Sequence, residues 1–223
     1  LFNIISGFLR PTTGNIYFKG RKITNKKPFQ ICRLGLVRTF QITRLFREMS
    51  VLENVKAGCH PWTKSEMFSC GLRIPSCRKE AMEIERRSLE IIHLLGLQGR
   101  EDSLAENLPI GEQKLLEIGR ALATSPTLLL LDEPAGGLND LETERLAQTI
   151  FALRDSLDTT ILLVEHDMNL VMEVADEIVV LNYGKQIAEG HPEDVQKLEE
   201  VVVAYLGEGI SKIRTIGKPV TKK

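Results

Sequence analysis

Leu128-Leu129-Leu130-Leu131-Asp132-Glu133-Pro134-Ala135-Gly136-Gly137-Leu138 decides the fold. Four consecutive leucines, with neither helical nor alternating polarity, predict a short strand buried on both faces, as in a parallel sheet covered by helices. A strand that dry holds no free charge in its middle. Asp132 and Glu133 therefore belong where it emerges at the sheet's carboxyl edge, and Pro134 stops it from continuing. Open α/β sheets bind their ligands at that edge. The acidic pair reads either as a metal-holding carboxylate beside a general base, or as a plain strand end entering a solvated loop.

The flanking sequence repeats the pattern. A helix is expected over 141–156, then a second buried strand over 159–164 that ends at Glu165-His166. Two apolar strands joined across a helix, each ending in chemically competent residues, predict a parallel sheet with its site at one edge. On the other side, Leu108-Pro109-Ile110-Gly111-Glu112-Gln113 opens a helix over 114–123, with Leu115, Ile118 and Leu122 as its buried stripe. Further upstream, 79–97 reads as a helix burying Met82, Ile84, Leu89, Ile92 and Leu95, with Gly96 close to its end. The stretch 61–78 has no periodicity and reads as an irregular surface excursion. Ser50 with Glu53 is a capping-box signal for a helix from Val51.

The first forty residues read as an amphipathic helix with Leu1, Ile4, Ile5 and Phe8 at helical spacing, a half-exposed strand over 15–20, a short basic helix around Pro28 and a strand over 34–40 that ends at Gln41. Downstream of His166 come a helix over 168–175, a strand over 177–181, a turn at 182–185 into a strand over 186–190, and a helix with Pro192 near its first position. Residues 211–223 are basic, lack apolar periodicity and read as a mobile tail.

Composition narrows the function. A formal charge of −1 gives no global basic field for nucleic acid. No apolar run approaches the ~20 residues that cross a bilayer, and the opening lacks the basic flank of a secretory signal, so an intracellular protein is expected. Cys32, Cys59, Cys70 and Cys77 have no CxxC spacing and predict scattered reduced thiols. Residue 1 is Leu and begins mid-helix, so the chain is expected to be truncated at its start.

Five motifs in fixed order carry a resemblance: Gln41 after a strand, the 108–113 turn, 128–133, Gly136-Gly137-Leu138-Asn139, and His166 after a later strand. In order and rough spacing the chain resembles the ATP-binding-cassette (ABC) ATPases, from Leu1 to about Glu208. Within them it is most similar to the ATP-binding subunits of branched-chain amino acid importers. The stretches 45–55, 108–111, 159–167 and 204–207 carry that likeness, as does the excursion around 68–78.

The resemblance implies an α/β P-loop NTPase-like fold: a mostly parallel sheet flanked by helices, with a remnant antiparallel β subdomain. It implies one ATPase domain over 1–210, with a helical subdomain at about 51–107 that docks a permease helix. It implies ATP and Mg²⁺ as cofactors. Asp132 and Gln41 would hold the metal, Glu133 would be the general base, and Gln41 would also reach the attacking water. His166 would contact the γ-phosphate; read as a lone histidine, it is equally a strand-end imidazole bonded to backbone. Ile110, Gly111 and Glu112 would present backbone N–H groups at a helix N-terminus to a nucleotide held mainly by a partner subunit. Gly136, Gly137 and Leu138 would link two sites across a dimer.

The implied partners are transmembrane permease subunits, a second identical or homologous ATP-binding subunit and, indirectly, a substrate-binding protein. The implied location is cytoplasmic, peripheral on the inner face of the cell membrane. An alternative is an inactive partner subunit that supplies only the Gly111 face to another ATPase.

Three departures stand out. Leu108-Pro109-Ile110-Gly111-Glu112 occupies the place of the usual Leu-Ser-Gly-Gly-Gln, and Asn139 the place of a usual Asp. No G-x-x-x-x-G-K-[ST] loop occurs; the family places it just before Leu1. Charge-assisted hydrogen bonds are worth about 1.5–3 kcal/mol each, so the loss of three or four would weaken micromolar nucleotide affinity to tens of millimolar. These residues alone are thus expected neither to bind nor to hydrolyse ATP usefully.

Overall fold

A computed structural model describes residues 1–60, 75–157 and 159–206. The chain divides into two compact units, 1–167 and 168–223.

The first unit is built on a three-stranded parallel sheet in the order β3 (Leu36–Arg38), β4 (Leu128–Asp132) and β5 (Thr160–Val164). Leu129, Leu130 and Leu131 are fully buried in the central strand, as the apolar run predicts. Register pairs Arg38 with Leu130 and Asp132 with Val164, so all three strands point the same way and end near one another. The mixed α/β fold read from the sequence is the fold observed. The strand at 160–164 is a correction: a second buried strand is expected over 159–164, yet Leu162 and Val164 are exposed. Among the described residues it lies at the edge of this sheet, with β4 as its one neighbour.

Against β3 and β4 packs a cluster of Phe2, Ile23, Ile31, Leu36 and Leu130. It gathers α1 (Phe2–Ile5), the hairpin β1 (Tyr17–Phe18) and β2 (Arg21–Lys22), and α2 (Pro28–Cys32). The opening helix is shorter than its apolar spacing predicts, and its inward residues are Phe2 and Ser6, with Leu1 and Phe8 exposed. Lys19 (φ 49°) and Gly20 (φ 72°) both adopt the left-handed conformation that closes a two-residue hairpin.

Three helices pack together beside the sheet: α3 (Val51–Gly58), α4 (Pro75–Leu94) and α5 (Ile110–Leu122). The capping box starts α3 as expected: Glu53 N–H donates to Ser50 Oγ and Ser50 N–H to Glu53 Oε2. The helix expected at 79–97 begins at Pro75, inside the stretch read as irregular; residues 61–74 of that stretch lie outside the described residues. Its buried stripe is Ser88, Ile91, Ile92 and Leu95, while Met82 and Leu89 are exposed. The stripe is rotated because Gly119 of α5 has no side chain, and Leu95 and Ile91 lie where its Cβ would be. The expected basic, mobile tail at 211–223 also lies outside the described residues. Helix α6 (Asp140–Ser156) completes this unit, capped by Asn139.

The second unit holds α7 (Met168–Val174), the antiparallel pair β6 (Ile178–Asn182) and β7 (Lys185–Gly190), α8 (Pro192–Val195) and α9 (Glu199–Val201). Ile178, Val180, Ala188, Val195 and Val201 form its core. Among the described residues no helix is long and apolar enough to cross a membrane.

Candidate functional site

Asp132 closes β4, and Glu133 turns the chain away from the sheet with φ 46°. The next residue, Pro134, disfavours the right-handed helical region for its predecessor. A left-handed non-glycine residue costs on the order of 1 kcal/mol or more, and strain of this kind clusters at functional sites. The strained backbone is pinned from both sides: Glu133 N–H donates to Val164 O at 2.9 Å, and Glu133 O accepts from Gly136 N–H at 3.1 Å.

The side chain of Glu133 meets the sequence-predicted Gln41. Gln41 Nε2 donates to Glu133 Oε2 at 2.6 Å, joining residues 92 positions apart. Asp132 Oδ2 is engaged by Arg38 at 2.5 Å, an ion pair whose side chains are 9% and 20% exposed. Sequence reading left Arg38 unremarked, although a charge inside an apolar strand was there to be noticed. Its other amino nitrogen donates to Asn3 Oδ1, and its guanidinium lies 5.2 Å from the Phe40 ring centroid.

The segment after Gln41 is held by α5 and α3. Glu117 Oε1 accepts the N–H groups of Phe40 and Arg44 at 3.4 and 3.3 Å. Lys114, one turn earlier, donates to the carbonyls of Gln41 and Glu133 at 3.4 and 3.5 Å. Buried Asn54 on α3 pairs with both the N–H and the carbonyl of Phe46. Burial pushes the Glu117 carboxyl above the ordinary glutamate range, and the Arg44 and Phe40 N–H groups oppose that rise. Lys114 and Glu117 share the face of α5 that carries Ile118 and Leu122, where the apolar stripe alone was expected. Charged residues three apart beside a buried stripe were the available signal.

Glu165 was read only as a strand-end acid, and the structure gives it a role that reading did not assign. Its buried carboxylate accepts from Ala135 N–H at 2.7 Å, His166 N–H at 2.9 Å and Asp167 N–H at 3.3 Å, fastening the loop after β4 to the loop after β5. His166 thus sits on the same edge as Asp132 and Glu133, but its ring is 73% exposed and 3.6 Å from Glu165 Oε2.

Gly111 lies elsewhere. Its N–H donates to Glu142 Oε1 at 3.3 Å, while Glu142 Oε2 accepts Asn139 N–H in the capping box of α6. A Cβ on Gly111 would stand 2.8 Å from Glu142 Oε1, so a larger residue there would displace the Glu142 side chain from this contact. Around this contact is a cavity of about 70 Å³ lined by Gly111, Glu112, Lys114, Leu138, Glu142 and Arg145. Ile110 is exposed, and Gly137 (φ 83°) shapes the turn before Leu138. The structure therefore joins Gln41, Asp132 and Glu133 into one cluster, sets His166 on its edge, and turns the 110–112 helix start toward α6.

Comparison with known proteins gives three findings. The family described as ABC transporter matches residues 1–136. The chain is 44% identical over 208 residues to the high-affinity branched-chain amino acid transport ATP-binding protein LivG of Salmonella typhimurium, covering 93% of this chain and 82% of that protein, and 41% identical over 211 residues to BraF of Pseudomonas aeruginosa, with the same coverage. A solved ADP conformation of an ATP-binding cassette of an ABC transporter superposes with a TM-score of 0.76 at 32% identity, covering 93% of this chain and 82% of that one.

Proposed function

Because this chain belongs to the ABC transporter family, as an ATP-binding subunit whose relatives are ATPases coupled to transport, we propose that it serves an importer of branched-chain amino acids. LivG and BraF, similar over 93% of the chain, support that substrate class. The observation that carries the catalytic reading is the hydrogen bond between Gln41 and Glu133 beside Asp132, at the edge where a parallel sheet binds its ligand.

In this reading Glu133 is the general base. Gln41 holds Oε2, which leaves Oε1 to take the proton of an attacking water. Asp132 and Gln41 are the metal residues. Mg²⁺ takes six oxygens, keeps several waters and uses one or two carboxylates together with phosphate oxygens. Among the described residues Asp132 Oδ1 and the Gln41 side-chain carbonyl make no hydrogen bond, so the donor set fits. When bound, the metal would neutralise charge developing on the phosphate oxygens. Ile110, Gly111 and Glu112 would offer N–H groups to a nucleotide on a partner subunit, and the Glu142 contact would give way as they do so. His166, with its ring 73% exposed beside Glu165, would reach the γ-phosphate.

Subunits of this family dimerise and work with membrane permease components. We assign the permease contact to the groove of about 690 Å³ lined by Arg44, Phe46, Gly58, Glu117, Arg120 and Thr124, between the segment after Gln41 and helices α3 and α5. A cytoplasmic, membrane-peripheral location follows from that partner. Ordered this way, the helices of 51–107 are the docking subdomain of one ATPase domain over 1–210.

The test is Glu133→Gln in a chain that carries a phosphate loop upstream of Leu1. Turnover should fall about 10²- to 10⁴-fold while ATP binding persists. Undiminished turnover would remove Glu133 from the role of base.

A further inference from the structure

The first 47 residues hold ten of the chain's 29 lysines and arginines and none of its 30 acids, so a chain of net charge −1 has a strongly cationic beginning balanced by an acidic remainder. Eight of these ten are exposed, and six of the eight, Arg10, Lys19, Arg21, Lys22, Lys27 and Arg33, fall within residues 10–33. None of the six forms an ion pair among the described residues.

The fold draws them together. The left-handed pair Lys19-Gly20 puts Lys19, Arg21 and Lys22 at the tip of one hairpin. Ile23 and Ile31 enter the same core, which ties that hairpin to α2, with Lys27 at one end of the helix and Arg33 at the other. Gly7 packs against Lys26 O and Ile31 Cδ1, bringing the end of α1, three residues before Arg10, against the start of α2. Between the cations stand exposed apolar groups: Phe8, Leu9, Tyr17 and Phe29. Arg33 lies over the Phe29 ring and Lys19 over Phe18.

We propose that this face, residues 10–33 with Phe8 and Leu9, docks on the anionic headgroups of a lipid bilayer. Dispersed single cations match a plane of charge, whereas nucleic acid is gripped by a groove tracking its backbone or by aromatic stacking platforms. Aromatic and leucine tips beside lysine and arginine suit the boundary between headgroups and acyl chains. At about 0.1 M salt the field of the patch reaches roughly 10 Å, so the bilayer has to be close, and subunits of this family work at membrane permeases. None of the six cations belongs to the nucleotide cluster, so the surface stands or falls apart from the catalytic assignments.

Co-sedimentation of the chain with vesicles tests this. Phosphatidylcholine vesicles are compared with vesicles containing about one-third phosphatidylglycerol, a fraction that sets an anionic surface potential. At low salt, partitioning onto the anionic vesicles should exceed that onto the neutral ones by at least about tenfold, and high salt should abolish the difference, since each cation near such a surface is worth about a fivefold factor. The charge-reversed variant R21E/K22E/R33E should fall to the neutral-vesicle level, and the neutral variant R21Q/K22Q/R33Q should lie between, with unchanged circular dichroism in both. Equal binding to the two vesicle types, undiminished binding by the reversed variant, or tighter binding to a single-stranded oligonucleotide than to the anionic vesicles would each overturn the proposal.

Discussion

Arg38 shows how much one side chain can hold. It leaves a strand otherwise made of Leu36 and Val37, pairs with Asp132, donates to Asn3 and Ser6, and lies over Phe2 and Phe40. Arg38→Met strands a mostly buried carboxylate and should lower stability by about 2 kcal/mol in a urea titration. Arg38→Lys should recover only part of that loss, because an ammonium on a flexible stem cannot serve Asp132 and Asn3 as a planar fork does. Equal stability of all three proteins would show that the pair contributes nothing. The candidate residues Gln41, Asp132 and Glu133 were legible because each sits at a recognisable strand end. The roles of Arg38 and Glu165 were not, although Glu165 also ends a strand, since they lie in partners 94 and 30 residues away, which no local pattern announces.

At the level of elements, α5 binds the segment around Gln41 through a buried acid. A carboxyl raised by burial holds its proton more tightly in the folded chain than in the unfolded one. Glu117 therefore costs stability as pH rises from the ordinary glutamate value of 4.5 to its own higher one. Glu117→Gln keeps Oε1 as acceptor for Phe40 and Arg44. Its stability relative to the parent should climb with pH across that window and then level, read from urea midpoints at a series of pH values; a flat difference would clear Glu117 of that cost. The crossing of α3 and α5 is just as specific. A Cβ at Gly58 would stand 2.2 Å from Arg120 O, a backbone atom that cannot swing aside, so Gly58→Ala should destabilise by about 1–3 kcal/mol and widen the groove beside it. Sequence periodicity found these helices and set Ile92 and Leu95 of the 79–97 stretch inward, but it placed Met82 and Leu89 there where Ser88 and Ile91 are buried. The face was decided by Gly119 on another element, and apolar spacing along one helix contains no record of the neighbour's missing side chain.

Across the molecule, the parallel direction of the strands was readable because burial dictates composition: four leucines in a row fit a strand covered on both faces. The exposure of β5 was not readable, since Thr160-Ile161-Leu162-Leu163-Val164 is as apolar as β4 and only its place in the sheet sets it at an edge. Leu130 belongs both to the central strand and to the cluster around Phe2 and Ile31, so Leu130→Ala should cost about 3–4 kcal/mol, measured by denaturant midpoint, more than any exposed leucine of β5. The carboxylate of Glu142 spans the molecule in another sense. One oxygen serves a neighbour three residues away and the other a glycine 31 residues away. A local contact re-forms in the time a helix end frays, whereas the distant one re-forms only when two helices meet again. Deuterium uptake at the Asn139 and Gly111 amides would thus run two clocks from a single side chain, the first counting fraying of one helix and the second counting each parting of the pair.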